Sequence, residues 1–308
     1  MNTILNTKYF IRNYQEQDAE QIAKMDFVNM LAYKYNGDYV AENIYCVVDS
    51  DETVYGAGHL EPDQTWFLIE KEGQPSNFVY KLNLQLYFNE DHEIPIDVQN
   101  ALYETLLNRA TEIKSQYPDK KVRLSHTIHY EDLEEMDYFL SKGFVVERNH
   151  MIMKRDLTED IPEVTIPDSI KIVNWKMETE AEEEKYLLAA AEGDDEGVTW
   201  SLNRLRWTKA GGEWDTFTAF AGDQVVGSVM TWGLGAERSA TESIFVLPEW
   251  RRQGIAKAVI TESLKFLKSK GKKEATLGVF GENEKAIPLY LSLGYKMFFI
   301  IIEFGRDI

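Results

Sequence analysis

Residues 243–256 read Ser243-Ile244-Phe245-Val246-Leu247-Pro248-Glu249-Trp250-Arg251-Arg252-Gln253-Gly254-Ile255-Ala256, and this stretch decides the fold of the second half of the chain. Its apolar run predicts a strand that ends near Val246, because Pro248 stops it. Gly254 then opens a helix predicted over Ile255–Lys270, whose apolar residues recur at helical spacing. A strand, a short loop and a helix in this order are typical of an α/β unit.

The loop before this helix has the chemistry of a phosphate site. Backbone N–H groups at a helix N-terminus have no partner within the helix, and the helix dipole places partial positive charge there. Gly254 and Ala256 leave room for a phosphate close to the backbone, while Arg251 and Arg252 add positive charge. The alternative is an ordinary helix start with surface arginines. The loop lacks the sequence patterns of nucleoside-triphosphate and dinucleotide sites.

Two signatures in the second half resemble those of the GNAT superfamily of N-acetyltransferases. The first runs from Val246 to Ala256 and matches the family's acyl-CoA motif, Arg/Gln-x-x-Gly-x-Gly/Ala. The second is Asn283-x-x-Ala286-x-x-Leu289-Tyr290-x-x-x-Gly294-Tyr295, and it follows the first at the family's usual separation. The resemblance implies that residues 165–308 bind acetyl-CoA as co-substrate and pass its acetyl group to an amine by direct attack.

The resemblance also implies roles for individual residues. The strand would pair with the pantetheine arm, and backbone amides from Arg252 to Lys257 would hold the pyrophosphate. Asn283 would bond to the arm, and Tyr290 would lie beside the thioester sulfur. The cofactor-binding residues predicted in this way are Ile244, Phe245, Val246, Arg251, Arg252, Gln253, Gly254, Ile255, Ala256, Lys257, Asn283, Ala286 and Tyr290.

Acetyl transfer requires a neutral amine and a protonated leaving thiol. Tyr290 is the predicted general acid, because a phenol pKa of ~10 lies close to the ~8.5 of a thiol; the alternative is a core tyrosine. Glu242 is the predicted base. It lies two and four residues before Ile244 and Val246, so a regular strand would place it on their face. A solvated glutamate, with another carboxylate or water as base, is the alternative.

An acidic strip lies between the first two predicted helices of the second half, in a region that helps to line the acceptor site in this fold. It reads Glu192-Gly193-Asp194-Asp195-Glu196-Gly197. Its charge suits a cationic amine, in a small molecule or a peptide, although a solvated loop is the alternative. Nearby tryptophans could form apolar walls or core; they are Trp200, Trp207, Trp214 and Trp232. The sequence does not identify the acceptor.

The two halves of the chain show the same order of elements. Each begins with a strand and an acidic helix, continues through strands and a long helix, and ends in Gly143-Phe144 or Gly294-Tyr295 before an apolar strand. We therefore predict two tandem GNAT-like domains, over 1–157 and 165–308. Each is expected to be an α/β (mixed α+β) domain with a mostly antiparallel sheet flanked by helices.

The first half lacks the chemistry of the second. Its counterpart of the phosphate loop, residues 88–95, contains three carboxylates and neither glycine nor arginine. Phe139 takes the place of Tyr290, and Asp132 that of Asn283. Because three negative charges repel a pyrophosphate, we predict a degenerate, non-catalytic domain that shapes the acceptor cleft or a homodimer. One CoA site per chain is expected.

Composition excludes several classes of function. The 308 residues carry a net charge of −19, with 15 basic and 29 acidic side chains in residues 1–160 and 18 and 23 in residues 161–308. The chain therefore lacks the basic stripe of a nucleic-acid binder, and its second half better suits a polyanionic cofactor. No apolar run approaches the ~20 residues of a membrane span. The single cysteine, Cys46, predicts a reducing cytoplasm, and the spacing of the five histidines predicts no metal site.

Two functions remain open from the sequence. One is an N-acetyltransferase, and the other is a non-catalytic acyl-CoA-binding regulatory or sensor protein. Tyr290 and the phosphate loop are both intact, which favours the enzyme.

Overall fold

Strands and helices alternate in the same order in both halves of the chain. The computed structural model describes residues 3–4 and 8–308. The first half contains β1 (Thr3–Ile4), β2 (Phe10–Asn13), α1 (Ala19–Met25), α2 (Phe27–Tyr35), β3 (Ile44–Val48), β4 (Val54–Pro62), β5 (Val79–Phe88), α3 (Ile96–Ser115), β6 (Lys121–His129), α4 (Leu133–Ser141) and β7 (Val145–Asp156). The second contains β8 (Ile170–Asn174), α5 (Glu180–Gly193), α6 (Leu202–Ala210), β9 (Asp215–Ala221), β10 (Gln224–Gly233), β11 (Arg238–Val246), α7 (Ile255–Ser269), β12 (Glu274–Phe280), α8 (Ala286–Ser292) and β13 (Lys296–Asp307). From β2 onward the two series match element for element, which confirms the predicted fold class.

The chain forms two compact units that are not its two halves. The first unit comprises the residues up to His126 together with Gly143–Val145 and Phe304–Ile308. The second comprises Thr127–Lys142 and Val146–Glu303. The predicted domain limits differ from these units, because α4 and nearly all of β7 belong with the second unit and the end of β13 belongs with the first.

Hydrogen bonds within each unit account for this exchange of strands. In the second unit β7 pairs antiparallel with β12, with Asp156 opposite Glu274 and His150 opposite Phe280. In the first unit the N–H of Ile308 donates to the C=O of Val122 on β6, at 3.2 Å. Nearly all of β7 therefore belongs to the unit formed mainly by the second half, and the end of β13 belongs to the unit formed mainly by the first half.

Both units contain a place where two neighbouring parallel strands separate. The second unit has the strand order β13-β7-β12-β11-β10-β9-β8. Its parallel strands β11 and β12 are hydrogen-bonded only where Arg238–Ala240 lie opposite Glu274–Thr276. Beyond these residues β11 stays paired with β10 and β12 with β7. A gap therefore opens between β11 and β12, here called the β11–β12 wedge. In the first unit the parallel strands β5 and β6 are hydrogen-bonded only where Val79–Asn83 lie opposite Lys121–Ser125. The gap beyond these residues is called the β5–β6 wedge.

Two apolar clusters hold the β11–β12 wedge in position. One cluster packs α7 on the sheet and includes Val259, Ile260 and Leu264, all fully buried. The other packs α5 and α6 and includes Leu205 and Met230, also fully buried. Complete burial of an aliphatic side chain stabilises a fold by ~1.5–3 kcal/mol, so both flanks of β11 are firmly anchored.

The remaining sequence-based expectations about the chain concern its cysteine and its helices. Cys46 is buried in β3. Within residues 8–308 no helix is both long enough and apolar enough to cross a membrane.

Candidate active site

Strand β11 carries one extra residue beside the wedge. In its pairing with β10, Phe245 lies opposite Ser228 and Glu242 lies opposite Met230. Three residues along β11 therefore span the same distance as two residues along β10. Ser243 lies within this bulge and has a φ of 51°, in the left-handed region that residues other than glycine rarely adopt. Bulges re-aim side chains and are frequent beside active sites.

The bulge changes which residues share a face of β11. Glu242 and Phe245 lie opposite residues of β10 that are two apart, so they share one face. Ile244 and Val246 pack instead against the α7 cluster. The prediction that Glu242 shares a face with Ile244 and Val246 is therefore wrong, because strict alternation holds only for a strand without a bulge.

Tyr186 of α5 supports the bulge, and sequence reasoning missed it. Its hydroxyl lies 3.0 Å from the Oγ of Ser243, and its ring contacts Phe245 edge to face, with centroids 5.5 Å apart. The side chain is 1% exposed. In the sequence Tyr186 is one apolar position of a helix, and Ser243 carries no glycine-like signal, so neither could be singled out.

Glu242 reaches across the wedge. Its Oε1 accepts the N–H of Gly278 on β12 at 2.8 Å. Although partly accessible, the carboxyl is surrounded by protein, and this burial raises its pKa to about 7; the Gly278 N–H and the positive charge of Arg204 oppose the rise. A carboxyl with a pKa near 7 can accept a proton at neutral pH, as a general base must.

Tyr290 lies near the end of α8 and is 7% exposed. Its ring packs against Tyr295, with centroids 6.1 Å apart, and its hydroxyl forms no hydrogen bond with any residue that the structure describes. Burial raises the pKa of Tyr290, and the charge of Glu242 raises it further. The phenol therefore keeps its proton at neutral pH, and the two predicted catalytic side chains lie close enough to interact.

Tyr295 fixes the closed end of the wedge. Its hydroxyl lies 2.6 Å from the Oγ1 of Thr241, which in turn donates to the C=O of Thr276 at 3.2 Å. Gly294 precedes it with a φ of +84°, and a Cβ there would lie 2.9 Å from the guanidinium of Arg155. The Gly-Tyr pair of the second signature thus has a local steric cause.

The predicted phosphate loop has the backbone that an anion site requires. Arg252 has a φ of 66°, and Gly254 has a φ of 83° and occupies the N-cap position of α7. The carbonyl of Gly254 accepts the N–H of Ala258 at 2.9 Å. A left-handed residue followed by right-handed helix forms a concave group of N–H donors that binds anions.

The two arginines of the loop have different environments. Arg251 donates to the carbonyls of Val246 at 3.1 Å and Gly193 at 2.8 Å and pairs with Asp195 at 3.1 Å. It therefore joins the end of β11 to the end of α5, and its charge is partly neutralised. Arg252 is exposed and forms no side-chain hydrogen bond or ion pair with a described residue, so it is the arginine available to a phosphate.

Asn283 lies three residues before α8, the helix that carries Tyr290. Its Oδ1 accepts the N–H of Ala286 at 3.0 Å, and its carbonyl accepts that of Ile287 at 3.2 Å. The side chain is exposed. The contact with Ala286 uses the amide oxygen and leaves the N–H groups of the side chain for a ligand.

The acidic strip is largely occupied by local contacts. The Oδ1 of Asp194 accepts the N–H groups of Glu196 at 2.9 Å and Val198 at 3.0 Å, and Asp195 pairs with Arg251. These contacts are those of a structured loop after α5 and favour that interpretation over a ready-made cation site.

In the first unit, histidine and tyrosine side chains lie at and near the β5–β6 wedge. The Nδ1 of His126 lies 2.7 Å from the carbonyl of Leu84, and the Nδ1 of His59 lies 2.7 Å from the hydroxyl of Tyr33. Tyr87 donates to the Tyr33 hydroxyl at 2.9 Å. Burial lowers the pKa of His59 to about 3, so the His59 imidazole is uncharged at neutral pH. The described residues contain no group of three or more His, Cys, Asp or Glu suited to a metal ion.

A cavity of about 480 Å³ also lies in the first unit, lined in part by Trp66, Arg109 and Tyr117. Arg109 is engaged by Asn43 at 2.9 Å, and Tyr117 donates to Glu70 at 3.3 Å. None of the predicted site residues lines this cavity, so it is separate from the wedge of the second unit.

Comparison with known proteins gives a consistent result for the second half. Residues 172–295 match the model of the acetyltransferase (GNAT) family. The protein named Acetyltransferase SG1711 from Sodalis glossinidius (strain morsitans) is 35% identical over 83 residues, which are 27% of this chain and 58% of that protein. The chain thus spans little more than half the length of this relative.

Solved structures resemble the whole chain. A GCN5-related N-acetyltransferase from Sphaerobacter thermophilus has a TM-score of 0.66 and 17% identity, covering 99% of this chain and 97% of that one. A tandem GNAT protein from the clavulanic acid biosynthesis pathway, solved without AcCoA, has a TM-score of 0.65 and 14% identity, covering 97% and 98%. At these identities the likeness concerns the fold, and it includes the tandem arrangement.

Proposed function

We propose that this chain, whose residues 172–295 belong to the acetyltransferase (GNAT) family, transfers the acetyl group of acetyl-CoA to an amine acceptor. The observation that carries the proposal is Glu242, which bridges the wedge to the N–H of Gly278 and whose charge acts on the buried phenol of Tyr290, in the same unit as the left-handed Gly254 that starts α7. A base with a pKa near 7 and a protonated phenol are the two groups that this reaction needs.

The residues of the second unit fit acetyl-CoA. The N–H groups that follow Gly254 and the side chain of Arg252 suit its pyrophosphate. The wedge beside β11 suits the extended pantetheine arm, in the manner of an added strand. Asn283 has amide N–H groups left for that arm. When bound, acetyl-CoA supplies a thioester whose carbonyl carbon the amine attacks.

The side chains then move protons in a balanced sequence. Glu242 accepts a proton from the amine nitrogen as the N–C bond forms. Tyr290 donates a proton to the sulfur as the C–S bond breaks, and it is reprotonated through solvent. The products are the acetylated amine and the free thiol of CoA. The second half contains no cysteine, which supports direct attack over an acyl-enzyme.

The first domain is proposed to be non-catalytic. Its wedge holds the uncharged His59–Tyr33 pair, and Phe139, which takes the place of Tyr290, is 1% exposed and carries no proton to donate. The sequence also predicts that this domain shapes either the acceptor cleft or a homodimer. A cytoplasmic location is likewise a prediction from the sequence.

One assay tests the proposal. Purified protein is incubated with acetyl-CoA and a panel of amines, and the released thiol is measured. Amine-dependent thiol release above the rate of spontaneous hydrolysis supports the enzyme. Tight acetyl-CoA binding without turnover on any amine would instead favour the acyl-CoA sensor.

A further inference from the structure

Arg204 of α6 is a partly buried cation that no described carboxylate neutralises. Its guanidinium forms neither a hydrogen bond nor an ion pair within residues 8–308, and its central carbon lies 5.0 Å from the centre of the Trp200 ring. Arg206, two residues further, is fully engaged, because it pairs with Glu180 and Glu183 at 2.8 Å each. The contrast marks Arg204 as a cation that has a ring contact but no ion pair with any residue that the structure describes.

Arg204 lies on the side of the site where Glu242 lies. Its positive charge acts on the carboxyl of Glu242. Trp200 contacts Trp232 with ring centroids 5.7 Å apart, and Trp232 follows Met230, the residue opposite Glu242, by two positions on β10. Side chains two apart on a strand share a face. The guanidinium, the two indole rings and the proposed base therefore surround the same region.

The position of Arg204 is fixed by its helix. The Oγ of Ser201 accepts the N–H of Arg204 at 2.9 Å and caps the start of α6. The neighbouring Leu205 is fully buried in the cluster formed with α5. The Trp200 ring further restrains the guanidinium by cation–π contact. A restrained, partly dehydrated cation without a counter-ion binds an anion with little loss of conformational entropy.

We propose that the acceptor is a small amino acid, and that Arg204 binds its carboxylate while its amine faces Glu242. This inference rests on the proposed acetyltransferase function and names the substrate class. A guanidinium and a carboxylate form two parallel hydrogen bonds, which gives orientation as well as affinity. The Trp200–Trp232 pair offers apolar surface to the amino acid side chain. In a chain with a net charge of −19, an anionic acceptor requires such a dedicated cation.

The experiment compares matched acceptors with one another. Amino acids, their methyl esters, their amides and the corresponding decarboxylated amines are each assayed for thiol release from acetyl-CoA. Rates are expressed per concentration of neutral amine, because esterification and decarboxylation change the pKa of the amine. The free amino acid is expected to exceed its ester and amide in kcat/KM by about 10- to 100-fold, the usual effect of a charged hydrogen-bonding partner.

Variants assign this preference to Arg204. Arg204→Met should remove the preference and leave the affinity for acetyl-CoA unchanged. Arg206→Met is the matched control, since it removes a guanidinium from the same helix that already has two carboxylate partners, and it should keep the preference. If Arg204→Met fails to fold, Arg204→Lys keeps the charge without the two-pronged geometry and should give an intermediate loss.

Two outcomes would overturn the inference, and they differ. If esters and amides react as well as the free amino acids, or if Arg204→Met keeps the preference, the substrate class is wrong and the acetyltransferase function stands. If the protein binds acetyl-CoA and acetylates no member of the panel, the function fails and the inference fails with it.

Discussion

In the second unit the wedge between β11 and β12 is bridged by a carboxylate, whereas in the first unit the wedge between β5 and β6 is bridged by an imidazole. Glu242 accepts the N–H of Gly278, and its pKa is raised to about 7. His126 lies against the carbonyl of Leu84, beside a His59 that stays neutral. The same separation of strands is thus bridged by a carboxyl that titrates near pH 7 in one unit, and by an imidazole beside the neutral His59 in the other.

The starts of the long helices α7 and α3 also differ in their capacity to bind an anion. Gly254 begins α7 with left-handed backbone, whereas Pro95 begins α3 and has no N–H to offer an anion. Tyr290 carries a hydroxyl, whereas Phe139, which takes its place in the first half of the sequence, carries none. The two halves therefore share a fold, and a few side chains carry the difference on which the proposed chemistry rests.

The largest effect on activity is expected when Tyr290 is replaced by phenylalanine, the residue that the first half has in its place. Tyr290→Phe should lower kcat by ~10²–10⁴-fold, the usual contribution of a general acid, and leave the Kd for acetyl-CoA nearly unchanged. Tyr295→Phe is the control. It removes the hydrogen bond to Thr241 and should lower stability by ~1 kcal/mol with a smaller effect on kcat. Full activity of Tyr290→Phe on the true acceptor would refute the assigned acid.

A smaller effect is expected at the helix start. Gly254→Val should weaken acetyl-CoA binding at least ~10-fold, because a side chain would keep the pyrophosphate from the backbone. Gly143→Val is the matched control, since Gly143 has almost the same backbone, with a φ of +82° against +83°. Calorimetry on the wild type should give one acetyl-CoA per chain. Equal losses of affinity in both variants would mean that backbone strain, and not the phosphate site, is responsible.

The proposed base is expected to contribute about 10-fold, at or below the lower end for such groups, because an amine can also lose its proton to water. In the wild type kcat/KM should rise with pH up to about 7, where Glu242 becomes ionised. Glu242→Gln should remove this limb and keep any rise caused by the acceptor's own deprotonation. Glu196→Gln, an exposed glutamate in the acidic strip, should keep the wild-type profile. A full pH limb near 7 in Glu242→Gln would identify another group as the base.

The smallest effect is expected on stability. Because the pKa of Glu242 is about 7 in the folded chain and ~4.3 when unfolded, its protonated form favours folding at low pH, and this advantage is lost as pH rises through 7. Glu242→Gln should therefore unfold about 2–6 °C above the wild type at pH 8. At pH 4 the midpoints should agree. A difference that is constant from pH 4 to 8 would show that the carboxyl does not titrate as stated.

Much of this fold follows from local signals in the sequence. The apolar spacing predicts a helix over Ile255–Lys270, and α7 runs from Ile255 to Ser269. The sequence could single out Tyr290 because it lies in the second signature, and Glu242 because it precedes the strand that leads into the first. The bulge at Ser243 was not, since no glycine marks it and Tyr186, which supports it, is distant in sequence.

The partners of β7 and β13 could not be predicted either. Apolar strands of this kind pair through backbone groups that every residue possesses, so their composition does not say which sheet they join. The role of Arg251 shows the same limit. Its motif suggests a phosphate ligand, but its side chain joins Val246 to Gly193, and only the folded chain reveals these partners.

The exchange of strands has a consequence for how the protein is made. The first unit includes Phe304–Ile308, so on the ribosome it cannot reach its final composition until these residues, which follow all the elements of the second half, have been translated. A domain completed by its own contiguous segment can fold while the rest is still being synthesised, and here that order is not open to the first unit. A protease cut between β7 and β8 would sever Phe304–Ile308 from the rest of the first unit's chain and β7 from the rest of the second unit's chain, so one cut would affect both units.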